Sequence, residues 1–262
     1  MKHSLLVAIF GFTAITGIGR AETATFNFAG DASTTGNPLG DTLSLTPNTN
    51  TIPGLTSVKV TSYNTNTTVI PTGAALGSTA LAASATDLYK GYGLALCGNG
   101  EGVNCGSPQH QIDNTNGAYE FMLFKFNVPV NLTSIKLLDY QGKSMDMSYW
   151  TGTTAPAATT VSSLLSSFGA QTNVPCVVGG AQTSCSGNGS GTYSTITDSI
   201  SGSDVLYLLV AASFNTGTTD DTFKVEALNV SMAAPEPATF GLAALTLAGL
   251  GLIARSRTVA RA

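Results

Sequence analysis

Between residues 22 and 233, short apolar runs alternate with clusters of Gly, Pro, Asn and Ser, a pattern of strands joined by turns. Residues 24–28 and 56–63 are Thr-, Val- and aromatic-rich runs of this kind. Residues 119–128 (YEFMLFKFNV) are apolar on both faces of a strand. Met122, Phe124, Phe126 and Val128 fall on one side and Phe121 and Leu123 on the other, which predicts a central strand covered from both sides. A turn at residues 129–131 would make 132–140 its hairpin partner. Residues 203–214 and Thr222–Met232 supply two further strands. Residues 159–168 place Val161, Leu164, Leu165 and Phe168 at helical spacing and predict a short helix. Residues 31–50, rich in Thr, Asn and Pro, read as a long exposed loop. No internal repeat is present. The pattern predicts an all-β body, a β-sandwich or jelly roll, in preference to a βαβ fold.

The two ends follow other rules. A Lys2-His3 n-region, an apolar stretch over 5–18 and the small-residue sequence Gly19-Arg20-Ala21 predict a signal peptide over residues 1–21, cut after Ala21. The stretch is interrupted by Gly11, Thr13, Thr16 and Gly17 and is short for a spanning helix. At the other end, residues 234–262 begin with Pro235, Glu236 and Pro237, continue through an apolar stretch over 238–254, and finish with Arg255, Arg257 and Arg261. A helix over 238–254 would rise about 25 Å, just short of a hydrocarbon core of about 30 Å. The prolines stop that helix from running into the body. The trailing arginines would hold the tail's end in the cytoplasm and leave the body outside.

This tail resembles the PEP-CTERM sorting signal of Gram-negative bacteria that make exopolysaccharide. In that family a Pro-Glu-Pro box, a hydrophobic helix and a basic cluster are recognised by a membrane-embedded exosortase. The matching positions are Pro235, Glu236 and Pro237, residues 238–254, and Arg255, Arg257 and Arg261, although here Ser256, Thr258, Val259 and Ala260 interleave the arginines. The resemblance implies export through the secretion translocon and transient insertion in the inner membrane. Cleavage near the box would then release the body to the cell surface or extracellular matrix.

Composition narrows the function classes. Charged residues are only 10% of the chain, and the segment between the two ends carries six lysines and no arginine against fourteen acids, a formal charge of −8. Without a guanidinium the body has no bidentate phosphate or guanine reader, and its field repels polyanions, so nucleic acid is excluded as a partner. The four cysteines form two close pairs, Cys97 with Cys105 and Cys176 with Cys185. Three connectivities are open; the local one is favoured because both pairs bracket Gly/Asn-rich loops, and closing each would stabilise the fold by roughly 2.5–3 kcal/mol. Neither pair is a C-x-x-C, and the body's single histidine, His110, cannot complete two zinc sites.

Catalytic signals are absent: no G-x-S-x-G, H-E-x-x-H or P-loop motif occurs. His110 lies in a polar run, Ser107-Pro108-Gln109-His110-Gln111, that reads as a loop, and the chain is expected not to be an enzyme. The densest polar region runs from residue 88 to residue 152. Tyr92-Gly93-Leu94, the Asp113-Asn114 pair, Glu120 opening an apolar strand, and the later Asp146-Met147-Ser148 segment are similar to a module of exosortase-dependent surface proteins, which implies a β-sandwich without an enzymatic role. Glu101, Asp113, Asn114 and Glu120 are hard oxygen donors near strand ends, with Asp220-Asp221 ahead of the final strand, and make Ca²⁺ a candidate structural cofactor; the alternative is that these groups cap turns. Tyr149 and Trp150 offer a stacking platform for sugar, or else core packing. Three classes stay open: a structural or interaction protein of the surface and matrix leads, a carbohydrate-binding module for exopolysaccharide follows, and a secreted hydrolase trails. A permanently anchored periplasmic protein is the alternative to release.

Overall fold

The computed structural model describes residues 21–35, 37–65, 77–98, 111–114, 118–139, 145–175, 177–178, 181–182, 194–214 and 221–232. Its strands are β1 (Glu22–Asn27), β2 (Leu43–Leu45), β3 (Thr49–Asn50), β4 (Val58–Asn64), β5 (Ala82–Tyr89), β6 (Gly93–Cys97), β7 (Ile112–Asp113), β8 (Glu120–Asp139) and β9 (Met147–Gly152). A five-residue helix, α1 (Val161–Leu165), follows, and then β10 (Thr172–Val174), β11 (Val177–Val178), β12 (Ala181–Gln182), β13 (Ser194–Ala212) and β14 (Thr222–Met232). Apart from the small β11–β12 pair, every strand belongs to one sheet. The chain from Glu22 to Met232 is one compact unit.

The all-β expectation holds. The expected sandwich separates two open sheets; here the ladder closes on itself through β8, β4, β5, β6 and β14. Every neighbour in that ring is antiparallel. An odd number of antiparallel strands closes only if the chain turns over within a strand, and β8 has the break for it. Its first half, from Glu120 to Phe126, pairs with β4. Its second half, from Asn131 to Leu138, pairs with β14 along the same edge. Residues 127–130 pair with neither, and β13 on the opposite edge shifts register beside them. Pro129, which has no N–H to give a ladder, sits in this gap. Asn127 stabilises the break: its Oδ1 accepts from the N–H groups of Thr56 and Ser57, and its Nδ2 donates to the Gly54 carbonyl.

The hairpin expected at residues 129–131 is therefore one bent strand. Proline marks a change of pairing partner there, not a reversal of the chain.

Ring closure rests on a close approach between β6 and β14, where Leu94 pairs with Val225. Gly93 has φ +96°, and a Cβ added there would lie 2.3 Å from the Val225 carbonyl oxygen. Only glycine fits both the backbone conformation and the space.

Two apolar clusters flank the first half of β8, as its sequence pattern predicts. Met122, Phe124 and Phe126 enter the main core, where Phe28 lies 6.0 Å from Phe124 and Phe26 lies 6.3 Å from Phe126 between ring centroids. Phe121 and Leu123 face the other way into a second cluster with Trp150, Leu209 and Ala211. That cluster is covered by α1, whose Val161 and Leu164 are buried in it, with Leu165 and Phe168 packed alongside. A five-residue helix does not persist alone. It is held by this packing and by a capping box in which Thr160 and Ser163 satisfy each other's backbone N–H groups. Beyond the break, β8 carries Leu132, Ile135 and Leu137 inward, while Ser134 and Lys136 are half-exposed. The expected strands at 24–28, 56–63, 203–214 and Thr222–Met232 correspond to β1, β4, β13 and β14, and 31–50 is a loop interrupted by β2 and β3.

Candidate functional site

Buried polar side chains gather where β7 meets the start of β14, around the Asp113-Asn114 pair. Ile112 and Asp113 add a short rung to β14 opposite Phe223 and Thr222. Asn114 then ties three segments together. Its Oδ1 accepts from the Asp221 N–H at 3.0 Å, and its Nδ2 donates to Asp221 Oδ2 at 3.1 Å and to the Ser213 carbonyl at 3.0 Å. Glu120 accepts the Asp113 N–H on Oε2 at 2.9 Å. Its cross-strand neighbour on β4 is Asn64, and Gly98 lies against both. Thr65 and the Tyr119 backbone exchange hydrogen bonds beside them. Burial, and next the negative charge of Asp221, push the Tyr119 phenol up from its ordinary value.

Two further groups extend this polar layer. Thr222 donates from Oγ1 to Asp139 Oδ1 at 3.3 Å and accepts from Gln111 Nε2 at 3.2 Å. On the same strand Lys224 is fully buried, its Nζ 4.5 Å from the centroid of the Tyr89 ring. The Tyr89 hydroxyl donates to Asp87 Oδ2 at 3.4 Å, while Asp87 Oδ1 accepts from the backbone N–H and the side-chain amide of Asn37. Burial drives the Lys224 ammonium down to about 7 against the opposing pull of Asp87. Burial, and then Asp87, push the Tyr89 phenol up.

The structure thus brings Asp113, Asn114, Glu120 and Asp221 together, and their visible contacts join β7, β8, β13 and β14. Asn114 accepts and donates as a staple between these segments. Among the described residues no three His, Cys, Asp or Glu side chains are grouped to hold a metal ion. Glu101 and His110 lie outside the described residues.

The sugar platform needs correction. Tyr149 and Trp150 are each only 3% exposed. Being consecutive on β9, they point to opposite faces of the sheet, and neither ring faces solvent. Tyr149 enters the main core and exchanges hydrogen bonds with Ser201, donating to its carbonyl and accepting its N–H. Trp150 enters the second cluster, edge-on to Phe214 at 5.5 Å and tilted against Phe121 at 6.5 Å. Aromatic pairing within a closed core won over exposure.

Asn64, Asp87 and Lys224 were not anticipated. Lys224 alternates with Phe223 and Val225, so the strand period places it on the face opposite the core, where lysine ordinarily meets water. Its burial comes from segments distant in sequence.

Cys97 is in a disulfide, and its partner lies outside the described residues, as do Cys105, Cys176 and Cys185. Pro235, Glu236, Pro237, Arg255, Arg257 and Arg261 are likewise outside them. Among the described residues no helix is long and apolar enough to cross a membrane. No protein-family model matches the chain, no curated protein matches it, and no solved structure matches its fold.

Proposed function

We propose that this is an exported protein of the cell surface or exopolysaccharide matrix, with a structural or interaction role and without enzymatic activity. An exosortase processes it at the PEP-CTERM-like tail. The observation that carries the reading is the pairing of a signal-like start with a tail in which Pro235-Glu236-Pro237, an apolar stretch and an arginine cluster follow in that order. Translocon and exosortase are then partners during export, and the inner membrane holds the chain transiently.

The body suits such processing. Glu22 pairs with Met232 at the outer ends of β1 and β14, so cuts after Ala21 and near the box leave every ladder pair of the body intact. Its surface is correspondingly polar: Thr25 donates to Asn229, which donates to Ser134, in one hydrogen-bonded row across three strands.

The test is the intact mass of the protein recovered from native cell surface and medium. A species beginning at Glu22 and ending near Pro235–Pro237 is expected. A species that keeps Arg261 and fractionates with the inner membrane would overturn sorting in favour of a permanently anchored periplasmic protein.

A further inference from the structure

We infer that the ring closed by β8, β4, β5, β6 and β14 holds one internal water molecule, bound between Ser84 and Asn64. Two buried groups carry this. Ser84 is 0% exposed and Asn64 3%, and neither the Ser84 Oγ nor the Asn64 Oδ1 has a hydrogen-bond partner. Register puts both on the inward face. Ser62 and Ser84 are directly opposite on β4 and β5, and Asn64, two residues beyond Ser62, points the same way. Val58 and Val60 share that face of β4 and enter the main core. Asn64 leans toward Gly98: a Cβ there would lie 2.8 Å from its Nδ2, and Oδ1 faces away from it. Cys97 pairs with Ala85, so Gly98 continues β6 beside Ser84, about 4.8 Å away at one strand spacing. The Asn64 amide and the Ser84 hydroxyl therefore border the same stretch of the ring's interior.

Small residues leave room there. Ser62, Ala82, Ser84 and Gly98 hold neighbouring positions on three strands, whereas Leu94, Met122 and Phe124 fill the core elsewhere. A buried water needs little more than its own volume and two to four polar partners. Ser62 and Thr86, joined by a hydrogen bond from Thr86 Oγ1, add hydroxyls beside Ser84. Chemistry selects the occupant. A hydroxyl and an amide are neutral, so neither carries the charge that would repay a cation's dehydration. An apolar atom would leave both oxygens unpaired, each at a cost of about fivefold or more in the folding equilibrium. Water donates to Asn64 Oδ1 and accepts the Ser84 O–H, and immobilising it costs less than leaving two buried groups bare. The inference is independent of the sorting proposal, since it concerns the folded body alone.

The experiment compares the full protein, as isolated from cells, with its Ser84→Ala variant. A crystal structure of the unaltered protein is expected to show one water within about 3 Å of both Ser84 Oγ and Asn64 Oδ1. In urea titrations Ser84→Ala should lower the midpoint at unchanged slope, with the folded-to-unfolded ratio falling about fivefold, because the water loses a partner. A dry site predicts the opposite sign: deleting an unpaired buried hydroxyl removes its desolvation cost and raises the midpoint. A raised or unchanged midpoint would therefore overturn the site. So would a crystal structure in which Ser84 and Asn64 are satisfied by each other or by other protein groups, with no water between them.

Discussion

The first half of β8 and the corner where it begins are built on opposite principles. From Phe121 to Phe126 alternate side chains fill two apolar clusters, and the strand is held by volume. At Glu120, one residue earlier, the chain enters a corner whose buried groups are Asn64, Asn114, Asp221, Thr222 and Lys224, held by direction and partner identity. Apolar packing tolerates any side chain of suitable size and shape. A buried polar corner does not, because removing one partner leaves the other desolvated without compensation.

The largest expected effect lies on the apolar side. Phe124→Ala should cost about 3–5 kcal/mol, read as a lower urea midpoint with an unchanged slope, whereas Phe124→Leu should recover much of the loss. A slope that also fell would mean that the two clusters unfold separately.

In the polar corner, conservative volume should not rescue. Asn114→Leu removes its hydrogen bonds with the Asp221 N–H and Oδ2 and with the Ser213 carbonyl, and should cost about 3 kcal/mol, three bonds among buried groups at roughly 1 kcal/mol each. Equal tolerance of Phe124→Leu and Asn114→Leu in denaturant titrations would erase the distinction between the regions.

The corner should also respond to pH where the apolar clusters do not. Lys224 is lowered to about 7 in the fold from an ordinary 10.5, so between those values the unfolded chain binds more protons. Stability from this group is therefore present above pH 10.5, is lost progressively as pH falls toward 7, and is flat below. The Tyr89 phenol, raised in the fold, opposes this only above its ordinary value near 10. Across pH 7 to 9.5 the protein should gain up to a few kcal/mol (order of magnitude), and Lys224→Met should remove that slope. A wild-type slope retained in Lys224→Met would assign it to another group.

The smallest effect tests the cover on the second cluster. Thr160→Ala removes the N-cap oxygen of α1 and should cost about 1 kcal/mol, lowering the melting temperature by a few degrees without altering the pH slope.

Much of this fold was legible because local periodicity reports local environment. The run YEFMLFKF needs apolar partners on both faces, and it has them. The Val161, Leu164, Leu165, Phe168 spacing marks a helix, and a helix is there. The Asp113-Asn114 pair and Glu120 stand out in sequence and do meet in space. Their division of labour was not legible: Asn114's partners, Ser213 and Asp221, lie about a hundred positions away. The role of Pro129 was misread for a similar reason. A proline before Asn131 looks like a turn, and only the exchange of β4 for β14 along one edge makes it a bend within a strand.

By itself, then, the sequence determined the β character of the body, the doubly covered strand and the short helix, all carried by contiguous residues. Tertiary structure decided the closing of the ring at Gly93, the burial of Lys224, Tyr149 and Trp150, and the meeting of Asn64 with Glu120. Each of these depends on which strand lies beside which, and strand order is set by contacts between distant residues that no local pattern encodes.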